Sequence, residues 1–166
     1  SSAQRGVSRR SVLQGAVAAG AALGFPSIVR AQSAHSIKLG IPTILSGRVA
    51  QLGISSTNAV KMAVDDFNTA GGLDGRMIEL VIRDTKARPE EAARVTRDFI
   101  NSEGVDVVFN CEASSASFAV QEVVRESGTF CTHCCSETSS LSADPAIRSP
   151  NSFRFARQGI HDAVAS

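Results

Sequence analysis

The 166-residue sequence predicts an α/β fold of the flavodoxin-like kind, an open parallel sheet with helices on both faces. Three observations predict it. From Ile37 onward, short β-branched runs alternate with longer amphipathic ones. The run from Val105 to Phe109 is nearly all apolar, as a central parallel strand buried on both faces must be. Glycine pairs, an Asp-Gly step and a well-placed Pro punctuate the runs where turns and helix starts are needed.

The elements follow in order. Ile37 to Ile41 is the first strand. Asn58 to Thr69 carries apolar residues at Ala59, Val60, Met62, Ala63, Val64 and Phe67, a helical period that ends at Ala70-Gly71-Gly72, where glycine can take the left-handed cap conformation. After a Leu73-Asp74-Gly75-Arg76 turn, Met77 to Ile82 is the second strand. Pro89 suits a first helical turn, because its missing N–H has no intrahelical partner there, and Glu90 and Glu91 complement the positive end of the dipole. That helix runs to about Glu103, and Val105 to Phe109 is the third strand. Ser114 and Ser115 are placed to cap a helix from Ser117 to Glu126, with Phe118, Ala119, Val123 and Val124 toward the sheet. Thr129 to His133 is a fourth strand and Ser152 to Ala156 a fifth, and a further helix starts at Gly159.

Composition narrows the function. The 43% hydrophobic content and the length suit one domain with a continuous core. Residues 1–31 hold Arg5, Arg9, Arg10 and Arg30 and no acid, which leaves 13 basic and 16 acidic residues on the remainder. That balance argues against nucleic-acid binding. Trp and Tyr are absent, so stacking platforms for sugars or single strands have little to be built from.

The first 31 residues read as an address. Arg9 and Arg10 stand just before an uncharged apolar stretch, Val12 to Val29, rich in Ala and Gly, and Val29-Arg30-Ala31 offers a small-residue cleavage site. This pattern predicts a twin-arginine signal, cleavage near Ala31, the twin-arginine translocase as a partner and a periplasmic destination. Sec export of an unfolded chain and a transmembrane anchor are the alternatives, the second disfavoured by weak hydrophobicity and Pro26. Residues 32–166 then form the mature domain.

The order Ile37-Lys38-Leu39-Gly40-Ile41, Leu45-Ser46-Gly47, Ala50-Gln51-Leu52-Gly53 and Asn68-Thr69-Ala70-Gly71-Gly72-Leu73-Asp74-Gly75 resembles the branched-chain amino-acid ABC transporter substrate-binding proteins, which are type I periplasmic binding proteins. The similarity continues through Arg83-Asp84-Thr85, Arg88-Pro89-Glu90-Glu91-Ala92, Val107-Val108-Phe109 and Ser114-Ser115. It implies two α/β lobes joined by a hinge with a small solute in the cleft between them, an ABC permease as partner, and no cofactor. By the family's size the chain is the N-terminal lobe, with the second lobe absent.

In open α/β sheets, ligands bind beyond the carboxyl ends of the strands, where helix N-termini present unpaired N–H groups. Three loops qualify: Ser46 to Ser55, Asn110 to Ser115 and Cys134 to Thr138. The resemblance implies that Ser114 holds a ligand carboxylate by its hydroxyl and backbone N–H, with Ser115 as a neighbouring donor. Both serines being helix caps is the structural alternative. It also places Cys135 and Glu137, with Ser136 between them, where the family clasps the ligand's ammonium group, and Leu52 where an aromatic often lines the pocket. Glu137 departs from the leucine-type pattern and suits a cationic or amide-bearing ligand, or is a solvated loop residue. Where some relatives have a disulfide between the second and third loops, Ala87 and Ala113 stand here. The expected ligand is an amino acid, an amide or a carboxylate.

The four cysteines, Cys111, Cys131, Cys134 and Cys135, admit several readings. Cys131-Thr132-His133-Cys134-Cys135 looks like a metal or redox motif, but strand alternation points Cys131 and His133 to one side and Cys134 to the other, which is wrong for one chelate. Buried packing as small hydrophobes is the plainer reading. A disulfide from Cys111 to Cys134 or Cys135 is the third. An exported enzyme using His133 lacks a phosphate loop, a paired carboxylate set or a nucleophile elbow. A sensory receptor lobe remains open, since one fold serves sensing and transport alike.

Overall fold

The computed structural model describes residues 35–156 and residue 164, all within the unit Ala34–Ser166. The signal segment with Arg9 and Arg10, and the helix expected from Gly159, lie outside the described residues, Val164 excepted.

Five strands form one sheet: β1 (Ile37–Thr43), β2 (Ile78–Asp84), β3 (Val107–Asn110), β4 (Phe130–His133) and β5 (Ser152–Arg154). Their order is β2-β1-β3-β4-β5 and every pairing is parallel. This is the flavodoxin-like order, in which the chain winds outward in both directions from the gap between β1 and β3. Strand β1 outlasts its expected end at Ile41 because its pairing with β2 continues to Thr43 opposite Asp84.

The helices are α1 (Ala50–Thr69), α2 (Pro89–Asp98, continued by a π turn over Phe99–Glu103), α3 (Ser114–Ser127) and the short α4 (Ser140–Ala143). Pro89 opens α2 as expected, with Glu90 and Glu91 in its first turn. The turn before β2 closes through paired bonds between Leu73 and Arg76, both 2.9 Å, with Asp74 and Gly75 at positive φ. That is the mirror-image turn an Asp-Gly pair favours.

Row-mates Gly40, Val81, Val108 and Cys131 face α2 and α3, whose Ala92, Val95, Phe99, Ala116, Val120 and Val124 complete the core. The right-handed β1-α1-β2 crossover carries α1 to the other face. There the expected apolar stripe is only partly used. Val64 is buried, whereas Met62 is 69% exposed.

Two helix starts differ from expectation. Helix α1 begins at Ala50, eight residues before Asn58, so Ala50 to Ser55 belong to a helix and not to the loop after the first strand. The polar run Ser55-Ser56-Thr57 disguised it. Thr57 is buried, and the Ser56 hydroxyl folds back onto the Leu52 carbonyl at 2.9 Å. Gly53 makes the early start feasible, because a Cβ there would lie 2.0 Å from the Ile44 carbonyl oxygen. Helix α3 begins at Ser114, its N-cap is Ala113, and no side chain caps it. Ser114 and Ser115 are therefore the first helical residues rather than caps, because Ala113 already takes the extended conformation that ends the preceding loop.

Candidate functional site

The gap between β1 and β3 is the switch point of the sheet, and a cavity of about 310 Å³ opens beyond its carboxyl end. Ile44 after β1, Leu52 and Ser56 on α1, Cys111, Ala113 and Ser114 after β3, and Cys135 and Glu137 after β4 line it. Of the residues expected at the site, Leu52, Ser114, Cys135 and Glu137 therefore converge on one hollow. Leu52 is 61% exposed, so its side chain is available as an apolar wall.

Two expected residues do not join them. Ser115 is exposed beside the cavity and is not part of its lining. Ser136 is fully buried beneath it. Its hydroxyl bonds Ser117 Oγ and donates to the Glu112 carbonyl at 3.2 Å, so it holds the cavity floor instead of a ligand. Cys135 and Glu137 on either side of it line the cavity, while Ser136 turns toward Ser117 and Glu112.

A second, larger hollow of about 420 Å³ lies around Ser142, Pro145, Arg148 and Ser152, away from the β1–β3 switch point. Among the described residues no helix of eight residues or more starts at it, so there it lacks the N–H cluster that suits the switch-point cavity to an anion.

The loops around the cavity are tied by named bonds. Asp84 at the end of β2 accepts the Leu45 N–H at 2.9 Å, the Lys86 N–H at 2.9 Å and the Ser46 hydroxyl at 2.6 Å. Burial by itself would raise the Asp84 carboxyl, but these bonds outweigh it and hold it below its ordinary value. Glu112, fully buried, crosses from the loop after β3 to Thr85 in the loop after β2. These are the loops that Ala87 and Ala113 leave without a disulfide. Burial pushes Glu112 up to about 7. Thr85 Oγ1 also stands 3.1 Å from the Thr43 carbonyl. The Thr85 hydroxyl is thus placed to donate to the Glu112 carboxyl or to the Thr43 carbonyl, one at a time.

Beneath the cavity a buried polar chain leads to the far edge of the sheet. Ser117 accepts from the Asn110 amide at 2.8 Å, Asn110 meets His133 Nδ1 at 2.7 Å, and His133 Nε2 meets Gln121 Oε1 at 2.8 Å. An accepting Nδ1 and a donating Nε2–H describe a neutral imidazole. Burial accordingly lowers His133 to about 4. The ring is saturated and sealed, which removes it from the exported-enzyme reading.

Cys131 and His133 do face one side of β4, as alternation requires, with Cys131 fully buried. On the other side Cys111 Sγ stands 3.2 Å from Cys134 Sγ, which is 3.4 Å from Cys135 Sγ. The Cys111 and Cys134 thiols are raised, Cys111 through its bonds to the other two and Cys134 to about 12. Cys135 is lowered because Cys111 and Cys134 both donate toward it, and Ser56 Oγ adds a contact at 3.3 Å. Sequence reasoning had not placed Ile44 or Ser56 at the site, and had Cys111 and Glu112 only as members of the Asn110 to Ser115 loop. Only the pattern of polar residues on strand-end loops hinted at them.

Comparison with known proteins agrees with this fold. The periplasmic binding protein family profile matches residues 36–164. The leucine-, isoleucine-, valine-, threonine- and alanine-binding protein of Pseudomonas aeruginosa is 31% identical over 113 residues, covering 68% of this chain and 30% of that protein. The branched-chain amino acid transporter substrate-binding protein of Streptococcus pneumoniae, solved with isoleucine, superposes with a TM-score of 0.68 at 28% identity, covering 74% of this chain and 34% of its own. A branched-chain amino acid transporter protein from Rhodopseudomonas palustris shares the fold at a TM-score of 0.71 and 17% identity, covering 78% of this chain and 34% of that one. The chain thus spans about a third of the length of these relatives.

Proposed function

Because the chain belongs to the periplasmic binding protein family, matched over residues 36–164, we propose that it supplies one lobe of a periplasmic solute receptor serving an ABC importer. The solute is an amino acid or a related small amide or carboxylate. The convergence of Ser114, Leu52, Cys135 and Glu137 on one cavity at the switch point carries this reading.

The first turn of α3 supplies N–H groups without intrahelical partners and the positive end of a 14-residue dipole. With the Ser114 hydroxyl beside them, these groups suit a carboxylate that stays ionised in the cleft. Leu52 and Ile44 offer an apolar wall for a side chain. Glu137 and the Cys135 segment face the position where an ammonium or amide group would lie. The P. aeruginosa and S. pneumoniae relatives, named for branched-chain and other small amino acids, support that solute class. Closing a second lobe over the cleft would exclude water and strengthen each of these bonds. We also propose that residues 1–31, with Arg9 and Arg10, direct export through the twin-arginine translocase and are removed near Ala31.

The test is an NMR titration of the chain with leucine, leucinamide and isoamylamine, which share a side chain and differ at the carboxylate. Amide shifts at Ser114 and Ser115 should follow leucine and fail with isoamylamine. Equal shifts with all three would overturn the carboxylate assignment.

A further inference from the structure

Three of the four cysteines come together at the cavity although the chain separates Cys111 from Cys134 by 23 residues. Their Sγ atoms all lie within 4.8 Å of one another. The solute-binding reading does not use them as a set, and a carboxylate or amino group has no need of three thiols. We propose that Cys111, Cys134 and Cys135 form a three-thiolate site for a soft monovalent ion, Cu(I), open to the cavity.

Donor chemistry selects the ion. Thiolates favour Cu(I), and the set contains neither an imidazole nor a carboxylate. Zinc closes its structural sites with four ligands, and among the described residues the nearby imidazole, His133, faces α3 from the other side of β4. A planar trithiolate with metal–sulfur bonds of about 2.3 Å has sulfur–sulfur edges of about 4 Å. The present separations of 3.2 and 3.4 Å need to open by about 0.8 and 0.6 Å to reach that size. Side-chain rotation at the half-buried Cys134 and Cys135 can supply it, while Cys111 is anchored in the core. Access is present as well, since Cys111 and Cys135 line the cavity wall.

The step is a ligand exchange without electron transfer. Cu(I) arrives with its solvent or carrier ligands and leaves them. Each of the three cysteines binds as thiolate and its proton goes to solvent, so one Cu(I) and three thiolates give a complex of net charge −2. A disulfide would use only two of these sulfurs and would need an oxidant, whereas a trithiolate uses all three as reduced ligands.

The test uses the reduced chain under strict anaerobiosis, with acetonitrile-stabilised Cu(I) competed against bicinchoninate. The expected result is one Cu(I) retained per chain, with three sulfur scatterers and no nitrogen in the X-ray absorption spectrum. Cys111→Ser, Cys134→Ser and Cys135→Ser should each weaken retention by at least about tenfold, a loss that even outer-shell changes can cause. Cys131→Ala, which removes the buried thiol on the opposite side, should leave it unchanged. Urea unfolding of each variant separates a lost ligand from a lost fold. Loss of Cu(I) to the chelator by the folded parent chain, a two-sulfur shell, equal retention by any folded triad variant, or tighter binding of Zn(II) would each overturn the site. None of these readouts depends on which solute the cavity takes.

Discussion

Replacing Gly53 by alanine tests how the cavity is built. On an exposed helix the change should stabilise, since alanine is favoured over glycine by about 1 kcal/mol in helical propensity. Here the added Cβ would fall 2.0 Å from the Ile44 oxygen, 2.6 Å from its carbonyl carbon and 2.7 Å from its nitrogen. Ordinary contact begins at 3.4 Å, so the first turns of α1 and the end of β1 must part by more than an ångström. The obstacle is backbone, which cannot swing aside as a side chain can. Overpacking of this kind costs about 1–3 kcal/mol, enough to cancel the propensity gain and reverse the sign. We expect a net destabilisation of about 1 kcal/mol in urea unfolding. Solute affinity should fall as well, because lifting the first turns of α1 moves Leu52 and Ser56 away from Ser114. A variant more stable than the parent would refute the close approach of α1 to Ile44, and with it the early helix start.

Further outcomes follow from the same geometry. Ser114→Ala should weaken a carboxylate solute by about 1–3 kcal/mol in calorimetry while leaving the urea midpoint unchanged, because no cap is lost. In the reduced, metal-free protein, Glu112 and His133 pull the pH dependence in opposite directions. Glu112, raised from 4.5 to about 7, contributes stability that is fully present below 4.5 and is lost as pH rises through 7. His133, lowered from 6.5 to about 4, contributes stability that is present above 6.5 and is lost as pH falls through 4. Between about 4.5 and 6.5 the two slopes oppose each other, so parent stability should be nearly flat there. Glu112→Gln keeps a bond to Thr85 and removes one slope, so its stability should climb with pH by up to about 1.4 kcal/mol per unit; parallel curves for parent and variant would show that Glu112 does not titrate as its burial requires. Replacing Arg9 and Arg10 together by lysine should block export in a cell-fractionation assay, and normal export would indicate the Sec route.

Much of the fold was legible because its signals are local. Pro89 with Glu90 and Glu91 marks a helix start wherever that helix packs, and the Leu73-Asp74-Gly75-Arg76 turn is set by which residues tolerate positive φ. The start of α1 was not legible, because polarity at Ser55-Ser56-Thr57 reads as loop until Ile44 is known to lie beneath Gly53. Site residues divide in the same way. That Ser114, Leu52, Cys135 and Glu137 gather at one cavity was in reach of the resemblance, although Leu52 sits on a helix and not in the expected loop. Ser136 could not be told from its neighbours, since whether its hydroxyl faces ligand or floor depends on Ser117 and Glu112.

The sequence by itself determined the α/β class, the run of strands and helices, and the loops at which a solute would be met, because periodicity and turn chemistry act over a few residues. Tertiary structure alone decided that Cys111, Cys134 and Cys135 gather as a set of three where the sequence had offered Cys111 with one or the other, that Glu112 reaches Thr85, and that α1 descends onto Ile44. Those outcomes depend on strands distant in sequence pairing side by side, and parallel pairing fixes which strand ends meet without leaving a mark on either strand's own pattern.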